Sequence, residues 1–385
     1  SEKFIVKGEK GARKVGLGNF SLNFFIGRNT LEMRIYPINH LGRHFAALVV
    51  LLLLGSRVGA QNATIDPPRD WATTIGGVNF DFITDAVSDG LGGLFVTGYT
   101  NSPNFPVTIA GSPGAGYDVF VTHFDSLGAV LWSTRYGGSG TDYGNAIARD
   151  AAGNLVVAGR LGGQGTFVTD STFKGTGDDI LVLKLNSVGG LIGALRYGGS
   201  AADEAVGIAT DANNQLVVVG NSSSSNISTT SAAFNGTSGD AFVLRLRSNL
   251  SRHLAFRYGG NSFDKANDVV IDANGNFYVA GETGSADYPQ TISAYQGGGG
   301  AKAFVMRFDS LGTRAWAQRY GGAGVERAYA MDLPPNGGLL VAGYTTSTDF
   351  PQTINGLGGS GLDAFLLHLN LDGTRDYARR LGGSL

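Results

Sequence analysis

The chain of 385 residues has no cysteine, which excludes disulfides and thiolate metal sites. Charge is also scarce, at 16% of residues, and His occurs only five times. No run spells His-Glu-x-x-His, a phosphate-binding loop or Gly-x-Ser-x-Gly, so the common hydrolase and nucleotide-binding signatures are missing. The longest apolar stretch, Phe45 to Leu54, is ten residues and reaches about 15 Å as a helix, half a bilayer core. Stable membrane insertion is therefore not expected. The apolar share of 42% argues against disorder, because disordered chains bury too little to offset backbone ordering.

What the chain has in excess is glycine, 61 residues of it. The net charge of −2 hides an asymmetry: residues 1–60 hold nine Lys/Arg against three Asp/Glu, leaving twenty basic and twenty-eight acidic residues in 61–385. An acidic main region is a poor partner for nucleic acid, whose phosphates demand a basic face. The N-terminal charge reads as export. Met33 opens a basic stretch (Arg34, His40, Arg43, His44), then the apolar run, then Val58-Gly59-Ala60, a pattern that predicts a signal peptide over 33–60 cleaved before Gln61. Residues 1–32 read as a leader or as upstream sequence, and 61–70 as a linker. The expected location is secreted or at the cell surface, and no cysteine at the cleavage site offers a lipid anchor.

From residue 71 to 385 the chain is repetitive. A Gly-Gly pair begins at Gly76, Gly137, Gly198, Gly259, Gly321 and Gly382, spaced 61, 61, 61, 62 and 61. Five residues after each first Gly comes an acid: Asp81, Asp142, Asp203, Asp264 and Glu326. A turn follows at Asp89, Asp150, Asp211, Asp272 or Pro334, then a single Gly at Gly98, Gly159, Gly220, Gly281 or Gly343. Further on stands Asp118, Asp179, Asp240, Lys302 or Asp363. Four strands fit between these landmarks; in the second unit they fall near 144–149, 155–160, 180–185 and 191–197. The third strand alternates, one face apolar (Leu181, Leu183, Leu185) and the other ending in a base (His123, Lys184, Arg245, Arg307, His368). That base row is expected where an edge nears solvent. Such a sheet cannot cover both its faces alone, and stacking identical blades does so. The predicted fold is all-β, a β-propeller of four-stranded blades. The chain opens with a lone fourth-type strand, Trp71–Ile75, and stops four residues into a sixth unit, so the five repeats are expected to be a fragment truncated at its C-terminus.

The motifs Arg-Tyr-Gly-Gly-x-x-x-Asp, Asp-Ala-x-Gly-Asn, Val-Ala-Gly, Thr-x-Ser-x-Asp-Phe-Pro and Asp-Ala-Phe together resemble the SBBP-type bacterial β-propeller repeat. The second and third units lack the Phe105-Pro106, Tyr288-Pro289 and Phe350-Pro351 step of the others. The resemblance implies a bacterial propeller whose ring is larger than five blades, about seven. From the residues themselves no cofactor is expected.

Among candidate functional residues, Arg135, Arg196, Arg257 and Arg319, with Arg380 at the same repeat position, precede the recurring acid by seven where the sequence reaches it and are expected to pair with it, tying one blade to the next. A calcium-binding ring of those acids is the rival reading; no loop has the dense oxygen ligands of a calcium hand, and Asp272–Asn276 is explained by a hairpin turn. Trp71, Trp132 and Trp316 recur at the start of the fourth strand, as packing bulk or as a carbohydrate platform. No residue stands out as catalytic. The loops between second and third strands run about 18 residues and vary, which suits a binding face. Their candidate ligand contacts are Asn101, Phe105, Asn221, Asn226, Asp287, Tyr288, Asp349 and Phe350. The expected function is a non-catalytic module binding extracellular protein or carbohydrate; the alternative is an extracellular hydrolase or lyase acting on polysaccharide with a carboxylate pair.

Overall fold

The computed structural model describes residues 72–173, 175, 177–230, 239–354, 358–359 and 361–383, together with four short strands near the N-terminus. Those four form two antiparallel hairpins, β1 (Val15–Leu17) with β2 (Phe20–Leu22) and β3 (Phe24–Gly27) with β4 (Thr30–Met33), inside a separate compact unit, Ser1–Gly42. Of the expected signal peptide only Met33 falls on described residues; the rest of 33–60, and the linker, lie outside them.

The repeats build five antiparallel four-stranded sheets, each in simple sequential order. Sheet I is β5 (Asp81–Ser88), β6 (Leu94–Thr100), β7 (Asp118–Phe124) and β8 (Val130–Tyr136). Sheet II is β9 (Tyr143–Arg149), β10 (Leu155–Leu161), β12 (Asp179–Leu185) and β13 (Leu191–Tyr197). Sheet III is β14 (Asp203–Thr210), β15 (Leu216–Ser222), β16 (Asp240–Leu246) and β17 (Arg252–Tyr258). Sheet IV is β18 (Asp264–Ile271), β19 (Phe277–Thr283), β21 (Lys302–Phe308) and β22 (Arg314–Gly321). Sheet V is β23 (Glu326–Asp332), β24 (Leu339–Thr345), β25 (Asp363–Leu369) and β26 (Arg375–Leu381). In two sheets the long loop adds a fifth strand, parallel to the outermost one: β11 (Asp170–Phe173) beside β13, and β20 (Ile292–Gln296) beside β22. The expected lone strand at Trp71–Ile75 is not seen over its described part, 72–75. Ile75 packs instead on the core of sheet I beside Val96, Phe105 and Phe120.

Burial follows the stacking logic. A separate apolar core lies between each successive pair of sheets, as with Val119, Val121 and Trp132 against Leu155, Val157 and Leu183 between I and II. The third strands β12 and β16 are buried on both faces, as inner strands of stacked sheets must be. The base row is not solvated as expected. Lys184 and Arg245 are buried because each reaches the turn acid of its own sheet, Asp150 at 2.9 Å and Asp211 at 3.2 Å.

Two glycine positions have a steric cause. The single Gly stands opposite a β-bulge in every first-to-second strand pair; a Cβ on Gly98 would lie 1.8 Å from the Phe82 carbonyl oxygen, and one on Gly281 1.8 Å from that of Lys265. The first Gly of the pair faces two side chains at once. A Cβ on Gly198 would meet Asp179 Oδ1 at 2.1 Å and Asp203 Oδ2 at 2.8 Å.

Candidate recognition surface

The recurring acids are turn caps. Asp203 accepts hydrogen bonds from the Gly199 amide (2.7 Å), Ser222 Oγ (2.5 Å) and Ser224 Oγ (2.7 Å), so it locks the turn entering its strand to the loop leaving the next. Asp142 accepts from the Gly138 and Gly162 amides at 2.6 and 2.7 Å. Asp81, Asp264 and Glu326 hold the equivalent turn and loop groups. The expected pairing with the Arg seven residues earlier is not what forms. Arg135 Nε meets Asp118 at 2.5 Å and Arg196 Nε meets Asp179 at 2.5 Å, both within one sheet, and Arg257 and Arg380 face Asp240 and Asp363. Strand pairing sets Arg196 opposite Leu181, two residues along the same face from Asp179, so the shorter reach wins. Each Arg, Arg319 included, also donates to a carbonyl in its sheet's long loop, such as Ser102, Gly163 and Ser285.

These contacts tie the long loops down. Phe105, Tyr288 and Phe350 are buried, packing on Phe120, Phe304 and Phe365 with ring centroids 4.7, 5.1 and 5.2 Å apart. Asn101, Asn226, Asp287 and Asp349 accept amide hydrogen bonds from Phe80, Ser200, Asn261 and Ala323 at the neighbouring turn. Seven of the eight expected loop contacts are thus anchors of the loop, with Asn221 half-buried at the end of β15. Two of the three Trp are packing: Trp132 and Trp316 are buried, and their indole N–H groups donate to Ser187 and Leu371 carbonyls of the next sheet, while Trp71 lies outside the described residues.

The exposed chemistry sits at the same end of the sheets but on the strands. Three positions converge there: the residue after the recurring acid (Phe82, Tyr143, Glu204, Lys265, Arg327), the one after the single Gly (Tyr99, Arg160, Asn221, Glu282, Tyr344) and the one before the third strand (Tyr117, Asp178). At the junction of sheets I and II four of these residues are aromatic: Phe82, Tyr99, Tyr117 and Tyr143. Tyr99 stacks on Phe82 (4.9 Å) and meets Tyr143 and Tyr117 edge-on (4.6 and 5.4 Å), while Phe80 lies 6.4 Å from Phe82, nearly parallel. Phe80 is 63% and Phe82 40% exposed. Arg160 lies over Tyr143 at 4.8 Å and 3.6 Å from Asp178. Burial pushes the Tyr99 and Tyr143 hydroxyls above their ordinary pKa, so both stay protonated. At the junction of IV and V the same positions hold an ion pair, Glu282 with Arg327 at 2.5 Å, with Tyr344 beside it. Sequence reading missed this patch because its members come from four different repeat positions in two units. Comparing those columns down the repeats was the available signal, since they vary while the core does not.

A second departure from repeat symmetry lies on the first strands. Just past the bulge, Asp85 and Asp268 stand where other units have Ala146, Gly207 and Ala330. Each bridges to the next sheet: Asp85 accepts from the Ala86 and Ile147 amides, both 2.8 Å, and Asp268 from Val269 (2.8 Å) and Met331 (2.6 Å). Burial is the main reason the pKa of Asp85 rises to about 6 and that of Asp268 to about 7. Among the described residues no group of three or more His, Asp or Glu is placed to hold a metal.

No protein-family model matches the chain, and no curated protein matches it by sequence. Among solved structures it is similar to a protein of unknown function from Bacteroides caccae, with 12% identity, a TM-score of 0.31, and coverage of 62% of this chain and 81% of that one. It is also similar to a eukaryotic initiation factor, with 8% identity, a TM-score of 0.35, and coverage of 77% and 55%.

Proposed function

We propose that this chain is a secreted or cell-surface interaction module of β-propeller type, non-catalytic, that binds extracellular protein or glycan through the end of its sheets where the long loops begin. One observation carries the reading. The scaffold positions repeat almost unchanged, while the three strand-end columns change from aromatic at one junction to ionic at another. A constant frame displaying variable side chains on one face suits recognition. The propeller arrangement itself draws support from the separate core between each successive pair of sheets. The resemblance to SBBP-type repeats supports the same reading.

The alternative, a polysaccharide hydrolase or lyase, rests on Asp85 and Asp268 as proton-holding carboxyls near neutral pH. Their oxygens are engaged by backbone amides of the adjacent sheet, which favours a structural role. An array of printed extracellular polysaccharides and surface proteins, followed by product analysis, separates the two. Binding without product formation is expected. Product release abolished by Asp85→Asn or Asp268→Asn overturns the interaction reading in favour of the enzyme.

A further inference from the structure

We infer that the aromatic patch of Phe80, Phe82, Tyr99, Tyr117 and Tyr143 is a saccharide-stacking platform for β-linked pyranosides of gluco configuration. This rests on the reading above that the strand-end face is the recognition surface, and it names the ligand class.

Phe80 and Phe82 present large apolar faces to water, whereas among the described side chains the other Phe of the repeats, Phe263 apart, are buried. They do so beside a half-buried partner, Tyr99, rather than as scattered single residues, which is the form an exposed site takes. Phe80 and Phe82 are inclined by only 16° and Phe82 and Tyr99 by 28°, so the three rings form an offset stack whose outermost and most exposed member is Phe80. Gluco-configured pyranosides carry all their ring hydroxyls equatorially. Both faces are therefore C–H surfaces that meet the negative face of an aromatic ring, while the rim is hydroxyl.

The surroundings fit that rim. The Tyr99, Tyr117 and Tyr143 hydroxyls have no hydrogen-bond partner among the described residues. Arg160 and Asp178, 3.6 Å apart and both partly exposed, border the rings and supply paired donors and acceptors. Glu204 lies at the next junction, where Asn145 Nδ2 reaches it at 2.9 Å. An apolar floor with a few fixed polar groups at its edge is the usual make-up of a small-ligand site.

Competing ligand classes fit less well. A quaternary ammonium needs an open aromatic cage, and here the rings are packed edge to face at 4.6 Å with Arg160 already over Tyr143. Stacked nucleic-acid bases bring phosphates, which Asp178, Glu204 and the acidic main region repel.

The test is affinity electrophoresis of the full chain through gels containing hydroxyethyl cellulose, laminarin or glycol chitin. Retardation is expected in at least one. Phe82→Ala and Tyr99→Ala are each expected to weaken it tenfold or more, and Phe80→Ala, at a site too exposed to affect folding, to weaken it measurably. Thermal midpoints of the three variants verify the fold. Retardation unchanged in all three overturns the platform and leaves the interaction reading intact, since binding then lies elsewhere. No retardation of the unaltered chain in any gel overturns the saccharide class; protein capture on the printed array then separates that failure from failure of the interaction reading.

Discussion

Lys302 Nζ lies 3.4 Å from Glu326 Oε2, both side chains buried, at the junction where sheets IV and V meet. The three preceding junctions place two carboxylates there instead: Asp118 with Asp142, Asp179 with Asp203, and Asp240 with Asp264. Both positions change together, and the acid lengthens by one methylene as the Lys arrives. Lys302 also donates to the Gly324 carbonyl at 2.7 Å and the Gly300 carbonyl at 3.2 Å. Removing one partner of such a buried pair strands the other. Glu326→Gln is expected to cost about 3–5 kcal/mol in urea unfolding. Lys302→Met, which leaves the buried Glu326 carboxylate without its cation, is expected to cost a similar amount in the same measurement.

The unaltered chain should already lose stability on going from about pH 5 to pH 8. Burial raises the pKa of Asp85 to about 6 and of Asp142 and Asp268 to about 7. A carboxyl with a higher pKa folded than unfolded holds its proton more tightly in the fold. Its contribution is full below about pH 4 and is lost as the pH rises through 6 to 7. A drop of about 1 kcal/mol or more is expected across that window from denaturation midpoints, and Asp85→Asn should flatten the slope. A stability that rises from pH 5 to pH 8 would contradict the burial of these groups.

The Gly-Gly pair tests the junction sterically. A methyl on Gly198 would press into Asp179, which Arg196 holds at 2.5 Å, and into Asp203, which three donors fix. Gly198→Ala should therefore destabilise by about 3 kcal/mol. Gly298, with nothing within 4 Å of its Cβ direction, should accept Ala within about 0.5 kcal/mol.

Large and small residues alternate across the sheets in compensating pairs. Trp132 packs on Gly189, Leu254 on Gly312 and Trp316 on Gly373, all glycines at positive φ in the turn before the fourth strand. At the remaining junction the order reverses: Gly193 faces Leu250, which takes φ 67° itself. Leu250→Gly should cost about 1–3 kcal/mol, the lost burial exceeding the relieved backbone strain. Gly193→Trp with Leu250→Gly should recover at least about 1 kcal/mol of that, seen as non-additivity in a double-mutant cycle.

Strand positions were legible because each landmark has a local cause. Strands expected near 144–149 and 180–185 begin at Tyr143 and Asp179, one residue earlier, where a turn cap closes. What the sequence concealed depends on contacts between units. The bulge that makes Gly98 obligatory, the turn from Asp142 to Asp118 as the partner of Arg135, and the parallel strands β11 and β20 all need the third dimension. The loop aromatics Phe105, Tyr288 and Phe350 read as ligand contacts, but long loops in this fold bury an aromatic to hold themselves down. Phe82, Tyr99 and Tyr143 carry no motif; strand pairing sets Phe82 opposite Tyr99, and only the stacking of sheet I on sheet II brings Tyr143 to them.

The most direct test of the account is hydrogen–deuterium exchange of the full chain with and without cellohexaose. Slowed exchange is predicted in peptides containing Phe80, Phe82, Tyr99, Tyr117 and Tyr143, with no change at the opposite end of the sheets, in the turns 89–93 and 150–154. Protection confined to those turns, or to the first strands around Asp85 and Asp268, would contradict the claim that recognition lies at the aromatic strand ends.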